Sequence, residues 1–223
     1  MASITQERAS GAEQRRAGKR WGPVSGLSFV GFFLASVVVS SVPANGAPDK
    51  DWVAAYAGHG HAAQHLATGI LLVLAGLSLM SFLTVLWTRI SEARRPDPIS
   101  PLPLIAAGVS AACIAVGGVV MASISGSMLA SSSPMPSADL LRFSNGLGFA
   151  MVGVAGMLAA ALSVAHLSLL ARSAGVFGRK LMVLGLVVAV VLLGAIAFVP
   201  IVALLVWLVS ASITLLRRRP TAY

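Results

Sequence analysis

Five stretches of hydrophobicity alternate with short polar pieces along the 223-residue chain. A bilayer's hydrocarbon core asks for about 20 apolar residues per helix. The runs fall at 24–42, 66–87, 102–129, 145–171 and 181–216. The last is too long for one span: 36 residues would rise about 54 Å against a core of about 30 Å. Pro200 has no N–H and disfavours helix at Val199, so the run divides into 181–198 and 200–216 with a tight turn between. The pattern predicts an all-α, polytopic bundle of six transmembrane helices.

The pieces between the runs are equally patterned. Residues 1–22 are polar and basic without a sustained apolar face, which predicts a disordered tail; 217–223 form a second basic tail. Between them, 23–216 make one membrane domain. The longest connection runs from 43 to 65. Within it, DKDWVAAYAGH reads as a short helix with Asp49 or Asp51 as cap, ending at Gly58 or Gly60. Trp52 and Tyr56 share a face at i, i+4. Both favour the headgroup zone, so the helix is expected to lie on the outer leaflet. In SSSPMPSADLLRF, Asp139 is positioned to cap a helix that starts outside the bilayer and continues into the fourth span. Arg142 at that interface can meet lipid phosphate or pair with Asp139 at i, i+3.

Charge then orients the bundle. The chain has 16 Lys and Arg against 7 Asp and Glu. With the N-terminus in the cytoplasm and six spans, only Lys50 and Arg142 among those cations fall outside, leaving 14 inside. Five spans would move Arg217, Arg218 and Arg219 outside, which weakens the positive-inside bias to 11 inside against 5 outside. Both termini are therefore expected in the cytoplasm, and the protein in the cytoplasmic membrane. A net charge of +9 would raise nucleic acid as a partner in a soluble protein. Here the cations flank apolar segments, so the partner is the bilayer and no nucleic acid is expected. A rival reading makes 24–42 a signal peptide cleaved after Val42-Pro43-Ala44. Its apolar run exceeds the usual 7–15 residues, which favours an uncleaved helix.

With 57% hydrophobic and 10% charged residues, no water-soluble core could hide the apolar surface. The predicted spans contain no Asp, Glu, Lys or Arg. This counts against a proton-coupled pump or secondary transporter, which place carboxylates in the membrane. Cys113, the single cysteine, has no disulfide partner in the chain and reads as a small buried side chain. The spans carry many small residues, among them Gly108, Gly117, Gly146, Gly153 and Gly156. Small residues four apart let helices approach closely, within a bundle or between copies.

Candidate chemistry gathers in one place. The stretch AYAGHGHAAQH holds His59, His61 and His65, three of the four histidines. His61 and His65 at i, i+4 share a helical face and can chelate a transition metal, with His59, Asp49 or Asp51 as further ligand. The bland reading is a set of solvated residues opening the second span. No HExxH or CxxC supports the metal, and no cofactor is expected. Haem shared between His65 and His166 fails on depth, since the two lie near opposite membrane faces. No GxSxG, phosphate loop or carboxylate pair appears, so an enzyme is not favoured.

Several soft motifs form a recognisable layout. These are Asp51-Trp52-Val53-Ala54-Ala55-Tyr56-Ala57-Gly58-His59, then Trp87-Thr88-Arg89-Ile90, Phe143-Ser144-Asn145-Gly146-Leu147-Gly148 and Ala171-Arg172-Ser173-Ala174-Gly175, followed by a terminal Arg cluster. The layout resembles a broad group of six-span membrane proteins of high-GC actinobacteria. The resemblance implies topology and carries over no catalytic residue. The functions open to such a chain are a non-enzymatic bundle packing with itself or a partner membrane protein, a small-solute channel or carrier, and a metal- or redox-linked protein using the outer histidines.

Overall fold

The computed structural model describes residues 22–44, 46–94, 100–131, 134–194 and 199–217. All regular structure among them is helical. Helix α1 is Gly22–Val39 and α2 is Asp49–Tyr56. Helix α3 is His59–Ala93, and α4 is Leu102–Ser131. Helix α5 runs through Ala138–Ser173, followed by α6, Arg179–Leu193, and α7, Val199–Arg217.

Five of these helices, α1, α3, α4, α5 and α7, are long and apolar enough to cross a membrane. The final run is two helices, as Pro200 demands; it sits in the first turn of α7, where its missing N–H costs nothing. Helix α6 has 15 residues and rises about 22 Å, short of a full core by itself. The turn expected near 198–200 lies partly outside the described residues, and the expected tails lie almost wholly outside them.

The boundaries depart from the hydropathy runs where polar residues continue a helix. Helix α3 begins at His59, seven residues before the apolar run. Over its 35 residues it rises about 52 Å, longer than a hydrocarbon core of about 30 Å. Helix α1 stops at Val39, and its last carbonyl accepts a hydrogen bond from Gln64 Nε2 at 2.6 Å. Helix α5 begins at Ala138, seven residues before the fourth apolar run, and Ser137 caps it, not Asp139: the Ser137 hydroxyl accepts from the Leu140 N–H at 3.4 Å. A π-helical turn at Met151–Ala155 interrupts α5 midway.

Consecutive helices pack side by side, α3 on α4, α4 on α5, α5 on α6 and α6 on α7. Adjacent glycines of α4 face different neighbours. Gly118 lies against the Gly69 carbonyl of α3, and Gly117 against the Gly148 carbonyl of α5. A side chain at either would meet backbone, so α4 can sit close to both partners. Gly108 and Gly146, equally small, are not packed this way: a methyl added at Gly108 would meet only Met80 at 4.0 Å, and one at Gly146 nothing within 4 Å. Helix α1 closes the bundle through Gly26, which rests on Phe82 of α3 and Ser212 of α7. Trp207 anchors the other side, edge-on to Phe82 at 6.3 Å and to Phe177 at 6.4 Å. Phe177 is brought there by Gly175, whose φ of 70° ends α5 in a left-handed turn with the Phe177 N–H on the Ala171 carbonyl.

Outside this core the apolar side chains face outward. Leu77, Ile105, Val119, Val187, Val190 and Val202 are all exposed. In water that surface would drive aggregation; in lipid it is the natural exterior.

Candidate functional site

Two features stand at the α2 end of the bundle, a polar cap and a hollow beneath it. The cap begins with α2. Its last carbonyls lack the i+4 amides of a continuing helix. Gly58, with φ 84°, reverses the chain so that α3 starts directly behind α2. This brings His61 Nδ1 to the Ala54 carbonyl at 3.1 Å and His65 Nε2 to the Ala55 carbonyl at 3.1 Å. The i, i+4 spacing of the histidines thus matches two consecutive carbonyls of the neighbouring helix end. His65 is buried and its ring lies flat on Tyr56.

Trp52 and Tyr56 do share a face, but that face points inward. They are 1% and 2% exposed and pack with Ala138 and Leu141 of α5 in a small core of their own. The expected interfacial orientation is corrected here, because α5 presents an apolar surface opposite the pair. Burial pushes the Tyr56 phenol up from its ordinary pKa.

Arg142 holds the cap to the bundle. One guanidinium nitrogen, Nη2, meets Asp49 at 2.7 Å and donates to the Ala47 carbonyl at 2.8 Å. The other, Nη1, pairs with Asp139 at 3.2 Å. The group also lies 5.8 Å from the centre of the Trp52 ring, within cation–π range. The expected Asp139 pair is present, and the contacts to Asp49, Ala47 and Trp52 are additional.

His59 and His61 are exposed at the start of α3. Among the described residues no three His, Cys, Asp or Glu side chains are grouped to hold a metal ion. Asp49, one of the three further ligands considered, is engaged by Arg142, while His61 and His65 each commit one ring nitrogen to a carbonyl. His166 lies far away, in a hollow with Arg94 at the other end of α3. That is about 44 Å along the helix from His65, so a shared haem is ruled out by distance.

Beneath the cap lies a cavity of about 300 Å³. Helices α1, α3, α4, α5 and α7 all contribute to it. Its walls are mainly apolar, with Leu72, Val152 and Ile201 among them, and it includes the π-helical turn at Val152 and Gly153. Three buried polar side chains also line it, Ser36, Thr68 and Asn145. Ser36 donates its proton to the Phe33 carbonyl and Thr68 to the Gln64 carbonyl. Asn145 Oδ1 is buried with no hydrogen-bond partner. Sequence reasoning that looks for ionisable groups passes over these residues. The available signal was Asn145 itself, the one side-chain amide inside the predicted spans.

Compared with protein-family models, curated proteins and solved structures, the chain matches none.

Proposed function

We propose that the chain is a six-span protein of the cytoplasmic membrane with both termini inside, a non-enzymatic bundle that packs with itself or a partner membrane protein. Helix α6 would supply the sixth span, and kinship with the actinobacterial group it resembles belongs to the same proposal. The observation that carries this reading is the distribution of cavities. The hollow at the α2 end and the one beside His166 share no lining residue. Between them the bundle is filled by Leu79, Phe82, Ile114 and Met157, all fully buried. The buried side chains between the two hollows favour a protein that works in the plane of the bilayer over one that passes a solute.

Topology reporters test the reading. Alkaline phosphatase fused after Tyr223 should be inactive, and a fluorescent protein at the same place should fold and fluoresce. In a Cys113→Ser background, Lys50→Cys should react with an impermeant maleimide on intact cells, and Lys180→Cys only after lysis. An active C-terminal phosphatase would reject six spans. Light scattering of the purified protein in detergent should give a mass above one chain; a strict monomer would leave a partner protein as the required associate.

A further inference from the structure

We infer that the cavity under the α2 cap is a binding site for a neutral, hydroxyl-bearing lipid of the diacylglycerol type, which enters sideways from the bilayer. The inference rests on the membrane reading above and deepens it by naming a ligand class.

Access comes first. Val37 of α1 and Phe149 of α5 both line the cavity and are both 41% exposed on the outer surface of the bundle. The mouth therefore opens where lipid chains lie. Chemistry selects the ligand. No lining residue is charged, so an ionic headgroup would enter without a counter-charge, at heavy cost in this surrounding. The three buried polar groups are 2%, 4% and 9% exposed at Ser36, Thr68 and Asn145. Both hydroxyls have already given their protons to backbone carbonyls. What they and Asn145 Oδ1 offer is acceptor capacity, and the Asn145 NH2 adds donors, so a hydroxyl, which both gives and takes a hydrogen bond, fits. A buried amide oxygen left unpaired is costly, and a donor from a ligand would recover that cost. An apolar body with a hydroxyl donor satisfies both walls. The volume, about 300 Å³, lies at the lower end of ligand pockets and suits the head and first carbons of a chain-bearing molecule.

The site is placed at a deliberate irregularity. The π-helical turn of α5 includes Val152 and Gly153, which line the cavity. Such turns interrupt regular packing and are frequent at functional sites.

Photolabelling tests the inference. The full-length protein would be reconstituted in phosphatidylcholine vesicles containing a diazirine-bearing diacylglycerol, and labelled peptides mapped by mass spectrometry. Label should concentrate on α1 and α5 around Val37 and Phe149. Unlabelled dioleoylglycerol should compete about tenfold better than its O-acetyl ester, which lacks the donor. Asn145→Leu should reduce labelling about tenfold. Val37→Trp, a change at an exposed position, should block the mouth and do the same even if Asn145→Leu fails to fold. Label spread evenly over all lipid-facing helices would overturn the site. Equal competition by the ester would overturn the hydroxyl requirement. The topology reporters are read on the same membranes, so failure to insert is distinguished from an inserted protein whose cavity stays empty.

Discussion

His65 lies flat against Tyr56, with ring centroids 4.0 Å apart and planes within 7° of each other. The stack joins the last residue of α2 to the second turn of α3, and the same imidazole donates to the Ala55 carbonyl. Two substitutions separate these roles. His65→Phe keeps an aromatic surface and loses the donor; His65→Ala loses both. Losing the donor should cost about 1–3 kcal/mol. Loss of the stack adds about 0.5–1.5 kcal/mol. Thermal unfolding in detergent should rank wild type above His65→Phe and His65→Ala lowest. His61→Ala, at an exposed position, should stay within about 0.5 kcal/mol of wild type. If His61→Ala proved as damaging as His65→Ala, the outer histidines would have a role beyond capping α2.

Arg142 connects α5 to the N-terminal end of the α2 segment through a fork. Nη2 serves Asp49 and Ala47 while Nη1 serves Asp139. A lysine cannot hold three acceptors in that plane. Each exposed ion pair contributes little, well under about 1 kcal/mol. The carbonyl contact and the Trp52 ring add to them, so the whole should amount to about 1.4 kcal/mol, or a tenfold change in local opening. Hydrogen exchange of the α2 amides should quicken about tenfold in Arg142→Ala and nearly as much in Arg142→Lys. Helices α6 and α7 should be unaffected. Unchanged α2 exchange in Arg142→Ala would show that Trp52 and Leu141 alone hold the cap.

The helices were legible because lipid-facing helices need long runs without charge, and these runs are unambiguous here. Their ends were less so. His59 to His65 continue α3 without adding hydropathy, so a window of apolar residues starts too late. The direction of Trp52 was hidden for another reason. An aromatic pair at i, i+4 fits headgroups or protein equally, and only the placing of Leu141 from α5 decides. His61 and His65 had the right spacing for a metal, but the same spacing serves two adjacent carbonyls once Gly58 turns the chain. The cavity was least legible. Ser36, Thr68 and Asn145 are 109 residues apart at their extremes, and a hollow shared by five helices has no local pattern.

Glycines illustrate the same limit and yield a sharp contrast. Gly118 and Gly146 look alike in sequence, each a small residue in a long apolar helix. A methyl added at Gly118 would stand 2.7 Å from the Gly69 carbonyl oxygen. Backbone cannot yield cheaply there, so Gly118→Ala should destabilise by about 1–3 kcal/mol. A methyl at Gly146 meets nothing within 4 Å. Alanine there removes the entropic penalty of a helical glycine and should stabilise by about 0.5–1 kcal/mol. Melting temperatures of the two single variants in one detergent should move in opposite directions. A fall in both would place Gly146 against another molecule, as self-association requires.

Tyr56 supplies a pH prediction. The chain has two tyrosines, so Tyr223→Phe leaves Tyr56 alone as a reporter. Burial disfavours the phenolate and raises its pKa in the folded protein. In the unfolded chain a tyrosine ionises near about 10. The unfolded state therefore loses its proton first as pH rises, and folding stability falls from about pH 10 upward. Below that value both states are neutral and the phenol contributes no pH dependence. Near-ultraviolet absorbance should show phenolate appearing above pH 10 in the folded protein, and near pH 10 once denaturant is added. A midpoint equal in both conditions would mean that α2 stands open to water and that the Trp52–Tyr56–Leu141 core is not formed in the membrane-free protein. A detergent titration repeated on His65→Ala should shift the folded midpoint toward the unfolded one, because removing the imidazole uncovers the ring it lies on.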